Sequence, residues 1–369
     1  MEFLDVLLQR SQGAPIALNI TIGYGYDYMK FSEMIDIILP HIWRCRELFI
    51  ESRFEYMNIL LRHLSASPDS GPNFLHANQL ERLHLNLVYP ETNDDPPEFP
   101  DIATLFGGAT PRLRHLSIIQ FWMLRFLQPS LPDLKTIYTD FPMSMITRCN
   151  SLEGLEFESF IIPDRPLNIP TLRRLEWRSP PYRTMGNADQ LLTKECWPNI
   201  TDLTLRFYRR IDDILSILAV ARNLRRASLV VTDMDGNEYA TTVNLSLPHL
   251  IELSLGSELV KTEFLNCLNV SGLRRLIVRD TDRLTAHFDP TQLRPWLERC
   301  KPPLAKLSFR KPFKFNEHTF SIITNLPHLQ LFESTSPSHE GDVEKLRKIM
   351  EAKGGQYVVS NAARDEEWD

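Results

Sequence analysis

Leu250-Ile251-Glu252-Leu253-Ser254-Leu255 is an apolar-x-x-apolar-x-apolar hexapeptide, and its recurrence decides the fold. Its last two apolar residues are two apart, so in a strand they face the same way. The first apolar residue, three positions earlier, turns the chain into that strand. The same pattern starts at Leu80, Leu113, Leu134, Leu152, Leu172, Ile200, Leu224, Leu250, Leu273, Leu304 and Leu329. Leu80-Glu81-Arg82-Leu83-His84-Leu85 and Leu273-Arg274-Arg275-Leu276-Ile277-Val278 are further clear copies, while two others end on a polar residue, Thr139 and Ser334. Upstream, Cys45-x-x-Leu48-x-Ile50 fits and Pro15-x-x-Leu18-x-Ile20 fits loosely. One such hexapeptide would mean nothing; a long series at narrow spacing is specific.

The spacings between successive starts run from 18 to 33 residues with a mean near 25. That is the period of leucine-rich repeats, roughly 20–29 residues. No unit can bury its apolar row alone, but stacked as a parallel sheet the units share one core. Each fully buried Leu or Phe contributes about 1.5–3 kcal/mol, so several turns are needed to offset chain entropy. The predicted core is Leu83, Leu85, Leu116, Leu155, Phe157, Leu175, Trp177, Leu203, Leu205, Leu253, Leu255, Leu276, Leu307 and Phe309.

The segments between strands read as helices over Phe31–Leu39, Phe54–His63, Ile211–Arg222, Glu258–Leu268, Gln292–Arg299 and His318–Asn325. Pro111, Pro132, Pro170, Pro198, Pro248 and Pro327 each sit two residues before the first apolar position, and Pro303 one before. Proline stops a helix and favours extended chain ahead of it, so these residues punctuate the repeats. Between Leu134 and Leu172 the units are too short for helices, which predicts loops or single turns. Tyr89–Asp101 and Ser179–Trp197 are longer insertions, and Asp235-Gly236 within Val231–Asn244 predicts a hairpin. Helices pack about 10 Å apart and strands about 4.8 Å, which predicts a stack curved with its strands inside. The expected fold is therefore an α/β, right-handed leucine-rich-repeat solenoid with parallel strands on the concave face and irregular repeats. About thirteen units span residues 1–340, a capping helix and strand occupy 341–360, and 361–369 form a disordered tail.

Composition bounds the function. The chain has 369 residues, 43 % hydrophobic and 24 % charged, with net charge −6, which is ordinary for a folded protein. A general nucleic-acid or anionic-membrane role does not follow from that charge. The longest near-continuous apolar stretch, Ile214–Ala221, falls far short of the roughly 20 residues of a membrane helix. Met1-Glu2-Phe3-Leu4-Asp5 lacks the basic opening of a secretory signal. The five cysteines, Cys45, Cys149, Cys196, Cys267 and Cys300, are odd in number and far apart, which fits packed thiols in a reducing cytoplasmic or nuclear compartment. No GxxxxGK[ST], GxSxG, HExxH or CxxC occurs. Gly23-Tyr24-Gly25 reads as a turn, as does Asp233-x-Asp235-Gly236-Asn237, whose Gly is misplaced for a calcium loop. His84 and His115 lie on or beside strands and read as surface or satisfied core residues. Nothing calls for a catalytic residue, a metal or a cofactor.

The chain resembles the leucine-rich-repeat region of fungal F-box proteins. The resemblance is carried by the repeats, by the opening Leu4-Asp5-Val6-Leu7-Leu8-Gln9-Arg10-Ser11-Gln12-Gly13-Ala14-Pro15-Ile16-Ala17-Leu18-Asn19-Ile20, and by Leu39–Leu48 as a second unit. In that family a short helix, an Arg-Ser and an Ala-Pro-Leu-like strand open the repeats. The resemblance implies the substrate receptor of a cullin-type ubiquitin ligase, with an F-box for a Skp1-like adaptor and repeats for the target. No F-box is found in this sequence, so an adaptor is expected only if one is supplied upstream. The alternative is an autonomous repeat scaffold with no ligase role. Regular leucine-rich repeats also carry Asn or Cys eight residues after the first Leu. Here those positions hold residues such as Val88, Tyr208, Thr232 and Glu258, so no Asn ladder is expected.

Counted from the first apolar residue, offsets +2, +4 and +6 point away from the core. In the later repeats they include Arg174, Arg178, Arg206, Arg226, Arg275, Arg279, Lys306 and Arg310. Acidic residues there are fewer, Asp202 and Glu252, with Glu156, Glu158 and Glu176 nearer the middle. A chain of net −6 thus gathers positive charge on one strip. The strip is a candidate dock for a protein target carrying acidic or phosphorylated residues, with Arg as a planar fork. The competing reading is a solvated face on which each Arg balances a nearby carboxylate.

Overall fold

The computed structural model describes residues 2–11, 13–23, 27–64, 77–88, 110, 112–119, 133–139, 149, 151–158, 165–178, 191–208, 211–232, 244–260, 263–279, 290–310, 317–335 and 340–359. They fall into two compact units, Met1–Leu172 and Arg173–Asp369. The acidic insertion at 89–101, most of that at 179–197, the hairpin and turn at 233–243, the central tyrosine and second glycine of the 23–25 turn, and the tail at 361–369 lie outside the described residues. So do the segments 140–148 and 159–164, where loops are expected.

The first unit opens with α1 (Glu2–Arg10) and β1 (Ile16–Thr21), followed by α2 (Tyr28–Ile38), β2 (Cys45–Ser52) and α3 (Phe54–Leu64). Four more strands complete it: β3 (Arg82–Leu87), β4 (His115–Ile119), β5 (Thr136–Thr139) and β6 (Gly154–Glu158). The strands pair in chain order and every pair is parallel. Asp27 caps α2 by accepting from the Met29 amide at 2.9 Å, and the face carrying Phe31, Ile35 and Ile38 is buried. Just beyond, Arg44 is buried. Its Nη2 donates to the Leu8 carbonyl at 2.5 Å and its Nη1 to the Ala14 carbonyl at 3.4 Å. A guanidinium thus meets the negative end of α1 and ties that helix to the second repeat.

The second unit contains β7 (Arg174–Arg178), β8 (Asp202–Tyr208), α4 (Ile211–Val220), β9 (Arg226–Thr232), β10 (Leu245–Ser246), β11 (Glu252–Gly256), α5 (Ser257–Val260), β12 (Leu268–Asn269) and β13 (Arg275–Arg279). It continues with α6 (Arg294–Cys300), β14 (Lys306–Arg310), α7 (Glu317–Asn325), β15 (Leu331–Ser334), α8 (Glu340–Ala352) and β16 (Gln356–Val359). The order β7-β8-β9-β11-β13-β14-β15-β16 is parallel throughout, and β10 pairs with β12 in a separate two-stranded ribbon. All fourteen predicted core residues are buried. This is the α/β leucine-rich-repeat class that the hexapeptides predict.

The helix over Glu258–Leu268 is not continuous. It breaks into α5 and a 3₁₀ turn at Glu263–Cys267, after which Leu268–Asn269 extends as β12. The extended form wins because the Leu268 carbonyl becomes a shared acceptor. The Trp296 indole donates to it at 3.1 Å and the Arg299 guanidinium at 3.1 Å, and the Cys300 thiol lies at 3.4 Å. At the C-terminal end α8 is followed by Gly354, which takes φ +70°, and then by β16.

The prolines do more than stop helices. In Ile169-Pro170-Thr171-Leu172, Leu247-Pro248-His249-Leu250 and Leu326-Pro327-His328-Leu329 the last amide donates to the first carbonyl at 3.1, 3.2 and 3.3 Å. Each is a β-turn with proline at its second position, where the fixed φ is already correct. Both ends of each turn are buried apolar residues. Ala77–Leu80 and Val270–Leu273 close the same turn without proline, at 3.1 and 3.0 Å. In the described repeats of β4 to β6 and of β8, β9, β11, β13, β14 and β15, the next two amides then share one carbonyl of the preceding repeat. Arg225 and Arg226 donate to the Thr201 carbonyl, Ile251 and Glu252 to Arg225, and Arg274 and Arg275 to Ile251.

The turns stack closely. A methyl group on Gly272 would stand 2.4 Å from the Pro248 carbonyl oxygen, whereas one on Gly341 would touch nothing within 4 Å. Gly272→Ala is expected to lower unfolding free energy by about 1–3 kcal/mol, while Gly341→Ala leaves it unchanged or raises it; urea denaturation of the two variants checks the pair. Arg44→Met is expected to cost about 1.5–3 kcal/mol through loss of its charged hydrogen bonds. Wild-type thermal stability for this variant would show that the α1 tie carries no energy.

Candidate functional site

The register of the second unit arranges the outward residues in three rows. The first row reads Arg174, Asp202, Arg226, Glu252, Arg275, Lys306 and Leu331 from β7 to β15. Its charge alternates for five strands, and each carboxylate is engaged. Arg226 donates through Nε to Asp202, Arg275 reaches Glu252 at 2.9 Å, and Lys306 reaches Glu333 of the middle row at 2.6 Å. The last pair is the best covered, with less than a fifth of either side chain exposed. The Asp202 hydrogen bond also raises the Arg226 pKa.

The middle row reads Glu176, Thr204, Ser228, Ser254, Ile277, Ser308 and Glu333. It points away from the core, yet Glu176, Ser254, Ile277 and Ser308 are buried. Long neighbours fold across it. Arg178 lays Nη2 on the Glu176 carboxylate at 2.8 Å, and Arg174 approaches the same carboxylate at 3.8 Å. Arg279 donates through Nε to the Ser254 hydroxyl at 2.8 Å. The third row holds Arg178, Arg206, Val230, Gly256, Arg279 and Arg310.

The eight cations singled out in the sequence therefore lie on one sheet face of one unit, but they are not equivalent. Arg226, Arg275 and Lys306 balance carboxylates of their own face, and Arg174 and Arg178 share Glu176. Arg206 is exposed and, among the described residues, its side chain makes no hydrogen bond or ion pair. With Arg174, Arg226, Thr204, Ser228, Ser254, Asp202 and Glu252 it lines a depression of about 140 Å³. Those two carboxylates are already matched by Arg226 and Arg275. The small hydroxyl residues at offset +4 were missed from sequence. Their signal is the recurrence of Thr or Ser between the two core leucines of successive repeats.

The first unit presents a different face. Its middle row is Phe49, His84, Ser117, Tyr138 and Glu156. The rings of Phe49 and His84 stack at 4.1 Å with 2° between their planes, and His115 Nδ1 pairs with the Thr136 hydroxyl at 2.8 Å. Both histidines are thus occupied locally. No group of three His, Cys, Asp or Glu suited to a metal occurs among the described residues. Cys45, Cys149, Cys196 and Cys267 are buried, and burial pushes the Cys45 thiol up to about 11. No helix among the described residues is long and apolar enough to cross a membrane.

No family model matches the chain, and no curated protein matches it. Among solved structures the chain is similar to the TLR13–ssRNA13 complex, at 14 % identity and a TM-score of 0.41. The match covers 93 % of this chain and 54 % of that one, so the chain spans about half the length of its structural neighbour. The topology itself defines the class: a leucine-rich-repeat array of parallel strands with helices and turns between them.

Burial holds the His84 pKa below its ordinary value of 6.5. A depressed imidazole pKa contributes stability that is present above the unfolded value and lost as pH falls through it, because the unfolded state then binds the extra proton. Urea midpoints are therefore expected to fall between about pH 7 and pH 5. His84→Phe, which can keep a stacked ring, is expected to flatten that slope. An unchanged slope would place the proton uptake elsewhere, with His41 and His115 the next groups depressed in the same direction.

Proposed function

We propose that this chain is the target-recognition part of an F-box-type ubiquitin ligase receptor, acting as a non-enzymatic protein-binding module in the cytoplasm or nucleus. Two features support the reading. The sequence resembles the repeat region of fungal F-box proteins, and its opening folds as the short helix and strand which that resemblance implies, Glu2–Arg10 and Ile16–Thr21. The contact strip comprises Arg174, Arg178, Arg206, Arg226, Arg275, Arg279, Lys306 and Arg310, within a recognition array spanning 1–340 and capped by 341–360. The target is a protein segment rich in carboxylates or phosphates.

The observation that carries the binding site is the make-up of the second unit's face: among the described residues its strands bring eight cations together with four carboxylates, Glu176, Asp202, Glu252 and Glu333, on a chain of net −6. A strip on which cations predominate is what an anionic segment would complement. An Arg fork also recognises carboxylate and phosphate by two parallel bonds.

Two measurements test this. Fused to an F-box, the chain is expected to co-purify with a Skp1-like adaptor and to bring a target into ubiquitin transfer. Charge reversal at Arg206, Arg279 and Arg310 is expected to abolish target capture while adaptor binding persists. Capture that survives the triple reversal would remove the strip as the site. Target capture without any ubiquitin transfer would favour the scaffold reading.

A further inference from the structure

We infer that the turn edge of the second unit docks a partner's amphipathic helix, one with acidic side chains at positions i and i+7 and an apolar side chain between them at i+3 or i+4. This surface is distinct from the sheet face proposed above and needs none of its residues. It is built by Arg225, Ile251 and Arg274, each of which follows the first buried leucine of its repeat. The Ile251 amide donates to the Arg225 carbonyl at 2.8 Å, and the Arg274 amide to the Ile251 carbonyl at 2.9 Å. The three residues therefore stand side by side on successive strands of the sheet.

The edge carries one sign of charge. The turns and strand entries at 197–201, 221–225, 247–251, 270–274, 301–305, 326–330 and 353–356 hold Arg222, Arg225, Arg274, Lys301 and Lys353 but no Asp or Glu. The same positions in the first unit mix signs, and there charges close on one another: Arg46 meets Glu81 at 2.9 Å and Lys135 meets Glu153 at 2.6 Å. In the second unit Arg222 and Lys353 reach carbonyls, of Ala219 at 3.4 Å and of Leu326 at 2.8 Å. Arg225 and Arg274 are exposed, and among the described residues their side chains make no hydrogen bond or ion pair. Ile251, between them, is 42 % exposed, although large apolar residues of this unit are otherwise covered outside β16. Arginine stems are apolar too, so the trio offers a greasy strip bounded by two planar cations.

The spacing selects a helix. Strands lie about 4.8 Å apart, so Arg225 and Arg274 are separated by about 10 Å with Ile251 midway. A helix rises about 1.5 Å per residue, which gives about 4.5–6 Å for three or four residues and about 10.5 Å for seven. Residues so spaced share one face. An acid, an apolar residue and an acid in that order thus meet Arg225, Ile251 and Arg274 when the helix lies across the strands. An extended segment fits less well: two residues span only about 7 Å, and three turn the second acid away.

The test uses the full chain and two fluorescein-labelled Ala/Gln peptides of identical composition, each with two glutamates and one leucine. The in-phase peptide has glutamates at i and i+7 and leucine at i+4. In its isomer the second glutamate moves to i+9, on the opposite side of the helix. Anisotropy titration at low salt is expected to give at least about tenfold tighter binding of the in-phase peptide, an advantage that shrinks as salt is added. Arg225→Glu and Arg274→Glu are each expected to erase the advantage, and Ile251→Ser to weaken the in-phase peptide. Arg225→Gln and Arg274→Gln, with wild-type circular dichroism, are expected to reduce it and keep the result readable if a charge reversal misfolds.

Equal affinities for the two peptides would overturn the inference. So would an advantage that survives both edge reversals and disappears with Arg206→Glu, which would seat the peptide on the sheet face and leave the proposed site standing. Tighter binding of an oligothymidylate through Arg225 and Arg274 would also overturn it, by making the edge a nucleic-acid surface. Target capture that ignores reversal at Arg206, Arg279 and Arg310 counts against the proposed site alone.

Discussion

One backbone carbonyl per repeat, accepting two amides of the next, sets the register on which everything else in each unit depends. In the second unit these acceptors run through Arg173, Thr201, Arg225, Ile251, Arg274 and Ala305. They lie one residue after the first buried leucine or isoleucine, where the β-turn has just delivered the chain. With that point fixed, the two core residues of every strand align with those of its neighbours. A slip of one residue would carry them to the open face. The ladder therefore couples the hydrophobic pattern to the hydrogen-bond pattern, and it does so without an asparagine side chain.

The same register creates the electrostatics. Charged residues 20 to 30 positions apart in sequence become neighbours about 4.8 Å apart in the sheet. Arg226 thereby meets Asp202, and Arg275 meets Glu252. Exposed pairs of this kind add only about 0.2–1 kcal/mol each. Their larger effect is to take carboxylates out of competition. With Asp202, Glu252 and Glu333 matched by first-row cations and Glu176 by Arg178, Arg206 is the cation of this strip with no ionic partner among the described residues.

Beyond the strands, polar groups at repeat ends find unequal solutions. Arg44 spends a buried guanidinium on two carbonyls near α1, while the Leu268 carbonyl collects contacts from Trp296, Arg299 and Cys300. Buried backbone groups must be paired, and irregular repeats offer no single recurring side chain to pair them. Each end therefore recruits whichever long donor the next segment brings into reach.

The repeated triplets by themselves determined the parallel order, the core list and the face on which Arg174 to Arg310 would gather, because side-chain alternation and repeat stacking follow from spacing alone. The helix boundaries were also legible wherever apolar spacing was continuous, as over Ile211–Val220. Sequence could not show which cations were already matched, since that depends on which residues become cross-strand neighbours. Nor could it show that Arg44 is buried, that Leu268 extends instead of coiling, or that Arg206 lines a depression with Ser228 while its side chain has no ionic partner among the described residues. Those outcomes are set by contacts between residues distant along the chain, and only the folded register brings such residues together.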